Sequence, residues 1–173
     1  GSAMSPDGLV TGELAPVLSS DLDGGDTSFD VISAREQAAV HEVLVVTLCE
    51  QALMAMIHSR WSQAEVLAGE ARAVFRRTGV QKSYAIPLIC AVQARAALHR
   101  GDVPAARQEL IGAQRLRHLL TYAMPRIATQ TRIELVRVYL ALGDLAGAET
   151  LIREIDELLQ RRVEVRPEPR RRW

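Results

Sequence analysis

Two arginines pose the chemical question. Arg95 and Arg137 are separated by the same interval as the turns that follow them, Gly101-Asp102-Val103-Pro104-Ala105-Ala106 and Gly143-Asp144-Leu145-Ala146-Gly147-Ala148. Arginines at equivalent points of a repeat project the same way, and two neighbouring guanidinium groups can hold a carboxylate or phosphate bidentately. They can equally pair with a nearby acid such as Glu134, or face water. Little else in the chain points to chemistry. There is no GxxxxGK[ST] loop to cradle phosphates and no GxSxG elbow, and His41-Glu42 runs into Val43, Leu44 and Val45 rather than completing HExxH. His41, His58, His99 and His118 are too scattered for a metal site. Cys49 and Cys90 make no CxxC pair and read as small core residues. The expectation is therefore no catalytic residue, no metal, no cofactor and no enzyme.

The elements that position the arginines follow from the repeat. A weaker copy of the turn, Ser59-Arg60-Trp61-Ser62-Gln63-Ala64, lies upstream at the same interval, so that Trp61, Val103 and Leu145 align, as do Ala64, Ala106 and Ala148. A fixed period of about 42 residues, within the range of about 20 to 50, is the mark of a solenoid. In each turn Gly ends one helix in a left-handed conformation and Asp caps the next. The large apolar residue is expected to plug the corner, and the Ala to let two helices approach. Ser33-Ala34-Arg35-Glu36 reads as a capping box opening the first helix, which runs to about Ile57 with Val40, Leu44, Leu48, Ala52 and Met56 on its apolar stripe. Five more helices are expected: 62–78, with Val66, Ala71, Val74 and Phe75 facing inward, then 83–100, 103–121, 125–142 and 145–161. No stretch shows sustained period-two alternation. The fold class is all-α, a right-handed superhelix of about three stacked antiparallel hairpins. Small residues at 52, 64, 71, 94, 97, 106, 113 and 148 should bring helix axes close.

Composition sets the limits. The chain has 173 residues, 48% hydrophobic and with no net formal charge, enough for one domain with a sizeable core and against bulk binding to nucleic acid or membrane surfaces. Acids without a single base fill residues 1–30, and arginines crowd 160–173. The expected organisation is a tag remnant (Gly1 to Met4) and disordered acidic arm over 1–32, a helical repeat domain over 33–162, and a basic tail or linker over 163–173. Lys82 is the only lysine, a bias that suggests a GC-rich bacterial coding sequence. No segment reads as a signal peptide, and none reaches the roughly 18 uncharged apolar residues of a bilayer span, so the expected compartment is the cytoplasm.

The turn pattern Gly-Asp-(large apolar)-x-x-Ala is similar to the tetratricopeptide repeat. Ala64, Ala106 and Ala148 match that family's small residue in the second helix, Trp61, Val103 and Leu145 its apolar turn residue, and Ala71 and Ala113 its later alanine. The period departs from it, being longer than the usual tetratricopeptide length of about 34 residues. The small residue of the first helix appears as Ala52, Ala94 and then Val136. The stretch from Arg132 to Glu149 further resembles the tetratricopeptide-like domain of bacterial MalT/LuxR-type transcriptional regulators. That resemblance implies a sensor or interaction domain that meets DNA only through a helix-turn-helix outside this chain. It also implies that the first helix of each pair lines a concave groove, which would gather Arg95, Arg137, Gln130 and His99, with Val46 in register with Gln130, above an apolar floor. The groove would take a small-molecule effector, or a protein or peptide. The alternative is a free-standing adaptor that binds a peptide or self-associates, with a homodimer favoured by apolar surface left at the solenoid ends. Tyr84 and Tyr122 are candidates for the groove rim.

Overall fold

The computed structural model describes residues 24–78, 83–120 and 124–164. Among these, every regular element is helical: α1 Gly24–Ile57, α2 Trp61–Arg77, α3 Ala85–His99, α4 Val103–Leu116 with a 3₁₀ turn Arg117–Leu119, α5 Pro125–Ala141 and α6 Leu145–Glu164. The chain divides into two units, 1–35 and 36–173. Of the first, the described part is the opening of α1, where Val31 and Ile32 are exposed. All that follows concerns the second unit. The expected all-α stack of three hairpins (α1/α2, α3/α4, α5/α6) is what it forms.

The turns explain why the helices reverse where they do. Gly101 and Gly143 take φ of 76° and 75°, and Ser59 takes 58° at the equivalent position. In all three, the next amide reaches back more than a full turn into the preceding helix, from Arg60 to Ala55 O at 2.8 Å, from Asp102 to Ala97 O at 2.9 Å and from Asp144 to Tyr139 O at 2.9 Å. This backbone closure satisfies carbonyls that the helix end would leave orphaned. Asp102 Oδ1 then accepts from Ala105 N at 3.0 Å and Asp144 Oδ1 from Gly147 N at 2.8 Å. Arg60, at the matching place, makes no such side-chain cap.

The core forms in two main clusters. One joins Val45, Cys49, Ala52 and Met56 of α1, Ala64, Ala68 and Ala71 of α2, and Leu88 and Ile89 of α3. The other joins Cys90, Ala91 and Ala94 of α3 with Leu110 and Ala113 of α4, Leu135 and Val138 of α5, and Leu151 of α6. α3 serves both, which is why it is apolar apart from Gln93, Arg95 and His99, as a helix largely enclosed by neighbours is. All the small residues expected at helix crossings are buried. Gly147 shows the same economy: a Cβ there would lie 2.3 Å from the Tyr139 ring.

Several expectations are corrected. α1 begins at Gly24, so Ser33 and Glu36 lie inside it and do not cap it. Its buried stripe starts at Val45; Val40 and Leu44 are exposed, as is Val66 on α2. Only Trp61 packs at a corner, whereas Leu145 stays 65% exposed and Val103 is also exposed. α4 ends at Leu116, short of Thr121, and Tyr122 lies outside the described residues. Val31–Ile57, with mean hydropathy 1.6, is long and apolar enough by length and composition to cross a membrane, contrary to the reading of the sequence; the side of it carrying Val45, Cys49 and Ala52 is packed in the core.

Candidate functional site

The four residues singled out by the repeat register meet in one network, but around a residue that register did not select. Glu134 lies on α5 in a position occupied by Val92 one repeat earlier, and its side chain is 1% exposed. Burying a carboxylate is costly unless donors replace its water. Arg95 Nη1 from α3 donates to Glu134 Oε2 at 2.6 Å, Gln130 Nε2 to Oε1 at 2.7 Å, and Arg137 Nη1 reaches both oxygens at 3.2 and 3.3 Å. The protein thus supplies its own carboxylate to the arginine pair. The slot between the guanidinium groups is filled, and two positive charges against one negative leave a single positive excess.

His99 joins from the side. Its ring stacks on Trp61 with centroids 4.0 Å apart and planes 7° from parallel, and the Arg95 guanidinium carbon sits 6.0 Å from the centre of the same indole. Trp61 opens α2 and His99 closes α3, so this stack ties the first hairpin to the second. Cation–π attraction and stacking together order Arg95, whose side chain is 17% exposed. The arrangement is a clamp between repeats. It holds no nucleophile–base pair and no open anion site.

Similar charged ties recur between helices. Arg72 on α2 meets Glu109 on α4 at 2.5 Å, while Glu154 on α6 receives Arg132 at 2.9 Å and Arg117 at 3.0 Å. The second set lines a 560 Å³ cavity with His118 and Glu157, where acids and bases balance. Among the described residues no cluster of three or more His, Cys, Asp or Glu side chains could hold a metal ion. Both cysteines are free, and burial pushes each thiol up to about 12. A thiol kept neutral in this way is neither a nucleophile nor a ready ligand.

A more apolar concavity lies elsewhere. A 390 Å³ cavity lies where α1, the start of α3 and the start of α5 approach one another. Val43, Val46, Met124 and Ile127 give it an apolar lining, and Tyr84 closes one side. Glu50 and Arg126 face each other at its edge at 2.7 Å, with Arg126 largely in water. The Tyr84 hydroxyl is raised above the usual tyrosine range, first by burial and then by the charge of and hydrogen bond to Glu42. Of the residues expected at the groove, Val46 and Tyr84 line this cavity; Arg95, Arg137, Gln130 and His99 do not. One signal pointed here in the sequence, the first-helix register at Val46.

Residues 87–110 and 129–154 match the tetratricopeptide repeat family. The matched segments begin one repeat period apart and run from α3 into α4 and from α5 into α6. No curated protein and no solved structure is similar enough to the chain to match it. The second unit is therefore a tetratricopeptide-like repeat domain, an architecture that generally binds proteins or peptides.

Proposed function

We propose that this chain is a non-catalytic interaction domain that receives a segment of a partner protein in the cavity between α1 and the start of α5. The observation that carries the reading is the contrast between the two candidate sites. The arginine pair is spent on Glu134, whereas the 390 Å³ cavity is open, apolar within and charged at its lip. A concave apolar site with a few orienting polar groups suits the apolar face of an amphipathic helix, with one charged residue set against Arg126 or Glu50. The resemblance of Arg132 to Glu149 to MalT/LuxR-type regulators supports a finer reading. In it, occupancy of the groove shifts a conformational equilibrium that a helix-turn-helix outside this chain reads. That finer reading is tested by whether the reading frame past Trp173 encodes such a module.

The binding site is tested with peptides selected from a displayed random library and titrated calorimetrically into the domain. Arg126→Glu, at a water-exposed position, is expected to weaken them by about tenfold or more, and Arg153→Glu on α6 to leave them unchanged. Peptides that bind the Arg126→Glu chain as tightly as the wild type would place the site elsewhere.

A further inference from the structure

The repeat makes its two ends comparable with its middle, position by position. On α1, Thr47 is exposed and Met54 is 51% exposed; one repeat later Ile89 and Ala96 are buried, and two repeats later so are Thr131 and Val138. These are the positions at which each first helix lies on the hairpin before it, since Ile89 and Ala96 pack into the core cluster of α1 and α2. The other end shows the mirror case. Ala68 and Leu110, at 1% and 8% exposure, are covered by the next hairpin, while the equivalent Ile152 on α6 is 46% exposed; Met56, Leu98 and Leu140 pass in the same way from buried to half-buried to exposed.

The polar ties of the inner junctions also have counterparts at the ends. Gln93 Nε2 donates to Ala68 O at 2.8 Å where the second hairpin lies on the first. Shifted to the two ends, that pair becomes Gln51, again a glutamine, and the Ile152 carbonyl. Arg95 meets Glu134 at 2.6 Å where the third hairpin lies on the second. Shifted likewise, it becomes Arg137 and Glu50, which within one chain pair with Glu134 at 3.2 Å and with Arg126 at 2.7 Å, yet leave the arginine half in water and the carboxylate partly exposed to a further partner. The ends are thus complementary in charge, in hydrogen bonding and in apolar character, each to the other and not to itself.

We propose that the chain stacks head to tail with a second copy of itself, α5/α6 of one protomer lying on α1 of the next in the register of the internal repeat. Arg137 then meets Glu50 of the second copy, Gln51 of the second copy donates to the Ile152 carbonyl, and Met54 of the second copy covers Leu140 and Ile152. Such a contact joins different surfaces and does not close on two copies, so assembly continues beyond the dimer.

Two variants separate this arrangement from every symmetric dimer. Met54→Glu disables only the first end and Ile152→Glu only the last, and both positions are exposed, so the fold is kept and is checked by helical circular dichroism. Light scattering and sedimentation equilibrium of the wild type should show a mass rising past twice the 19.0 kDa protomer as concentration increases from about 1 µM to about 1 mM. Each variant alone should remain a monomer. Mixed in equal amounts, the two should form a discrete pair, because each retains the end that the other lacks. A wild type that stays monomeric throughout, a mass that stops at a symmetric dimer, or a mixture that does not pair would overturn the proposal.

Discussion

Glu134 shows how one side chain can redirect a site. Two arginines in repeat register suggest a waiting anion site, yet a single acid, on the helix of Arg137 and facing Arg95, converts them into a structural clamp. Removing it should leave the largely buried Arg95 charge without a partner. Glu134→Ala is therefore expected to lower the unfolding free energy by about 3 kcal/mol, toward the lower end for a broken buried pair because Arg137 is half in water, as read from urea unfolding. The thiols make a second prediction. Burial raises Cys49 and Cys90 from 9.0 to about 12, so the folded state holds protons that the unfolded chain gives up. Their contribution is fully present below pH about 9 and is lost as pH climbs toward about 12, by up to roughly 1.4 kcal/mol per pH unit for each thiol. A Cys49→Ala/Cys90→Ala chain should show a shallower fall of stability across that range. Ser59 carries a left-handed backbone that its neighbours Gly101 and Gly143 reach without strain. Ser59→Gly is expected to raise stability by about 0.5–1 kcal/mol in the same assay.

At the scale of helices and turns, the pairing of Tyr139 with Gly147 illustrates a constraint that the repeat pattern hides. The equivalent positions one hairpin earlier hold Ala97 and Ala105, two small residues sharing the space. In the last hairpin the whole volume is taken by the tyrosine, whose hydroxyl accepts from Gln114, and the facing helix gives up its side chain. Gly147→Ala should cost about 1–3 kcal/mol by overpacking, despite alanine's better helix propensity, and thermal unfolding would register it. The helices themselves were legible because the Gly-Asp turns at 101–102 and 143–144, with their weaker copy at Ser59-Arg60, punctuate them at one period. The inward faces were less so. Val40, Leu44 and Val66 fit helical spacing, but spacing says which residues share a face and not which face a neighbour covers. The capping box at Ser33 failed for a related reason: a local pattern of side chains cannot end a helix that propagates through it.

For the molecule as a whole, α3 is the keystone, because both core clusters draw on it. In a structure whose hairpins pack mainly on their neighbours in the stack, protection should grade outward from that helix. Amide hydrogen exchange is expected to be slowest along Leu88–Ala97 and fastest in residues 36–44 of α1 and beyond Leu158 of α6, where large apolar side chains stand in water. Uniform protection across the three hairpins would contradict this. The candidate site was only partly readable for the same architectural reason. Val46 was placed on the groove by register, but the cavity exists because α5 begins close beside α1, a distance in space that no spacing along the chain encodes. The three reversals, by contrast, share one backbone geometry, with φ at Gly101 and Gly143 differing by a single degree. A segment running from Val103 to Asp144 therefore begins and ends in the same phase of the stack. Duplicating it in the gene would lengthen the protein by a whole cassette without disturbing either flank, so copy number is a dial that evolution or an engineer can turn.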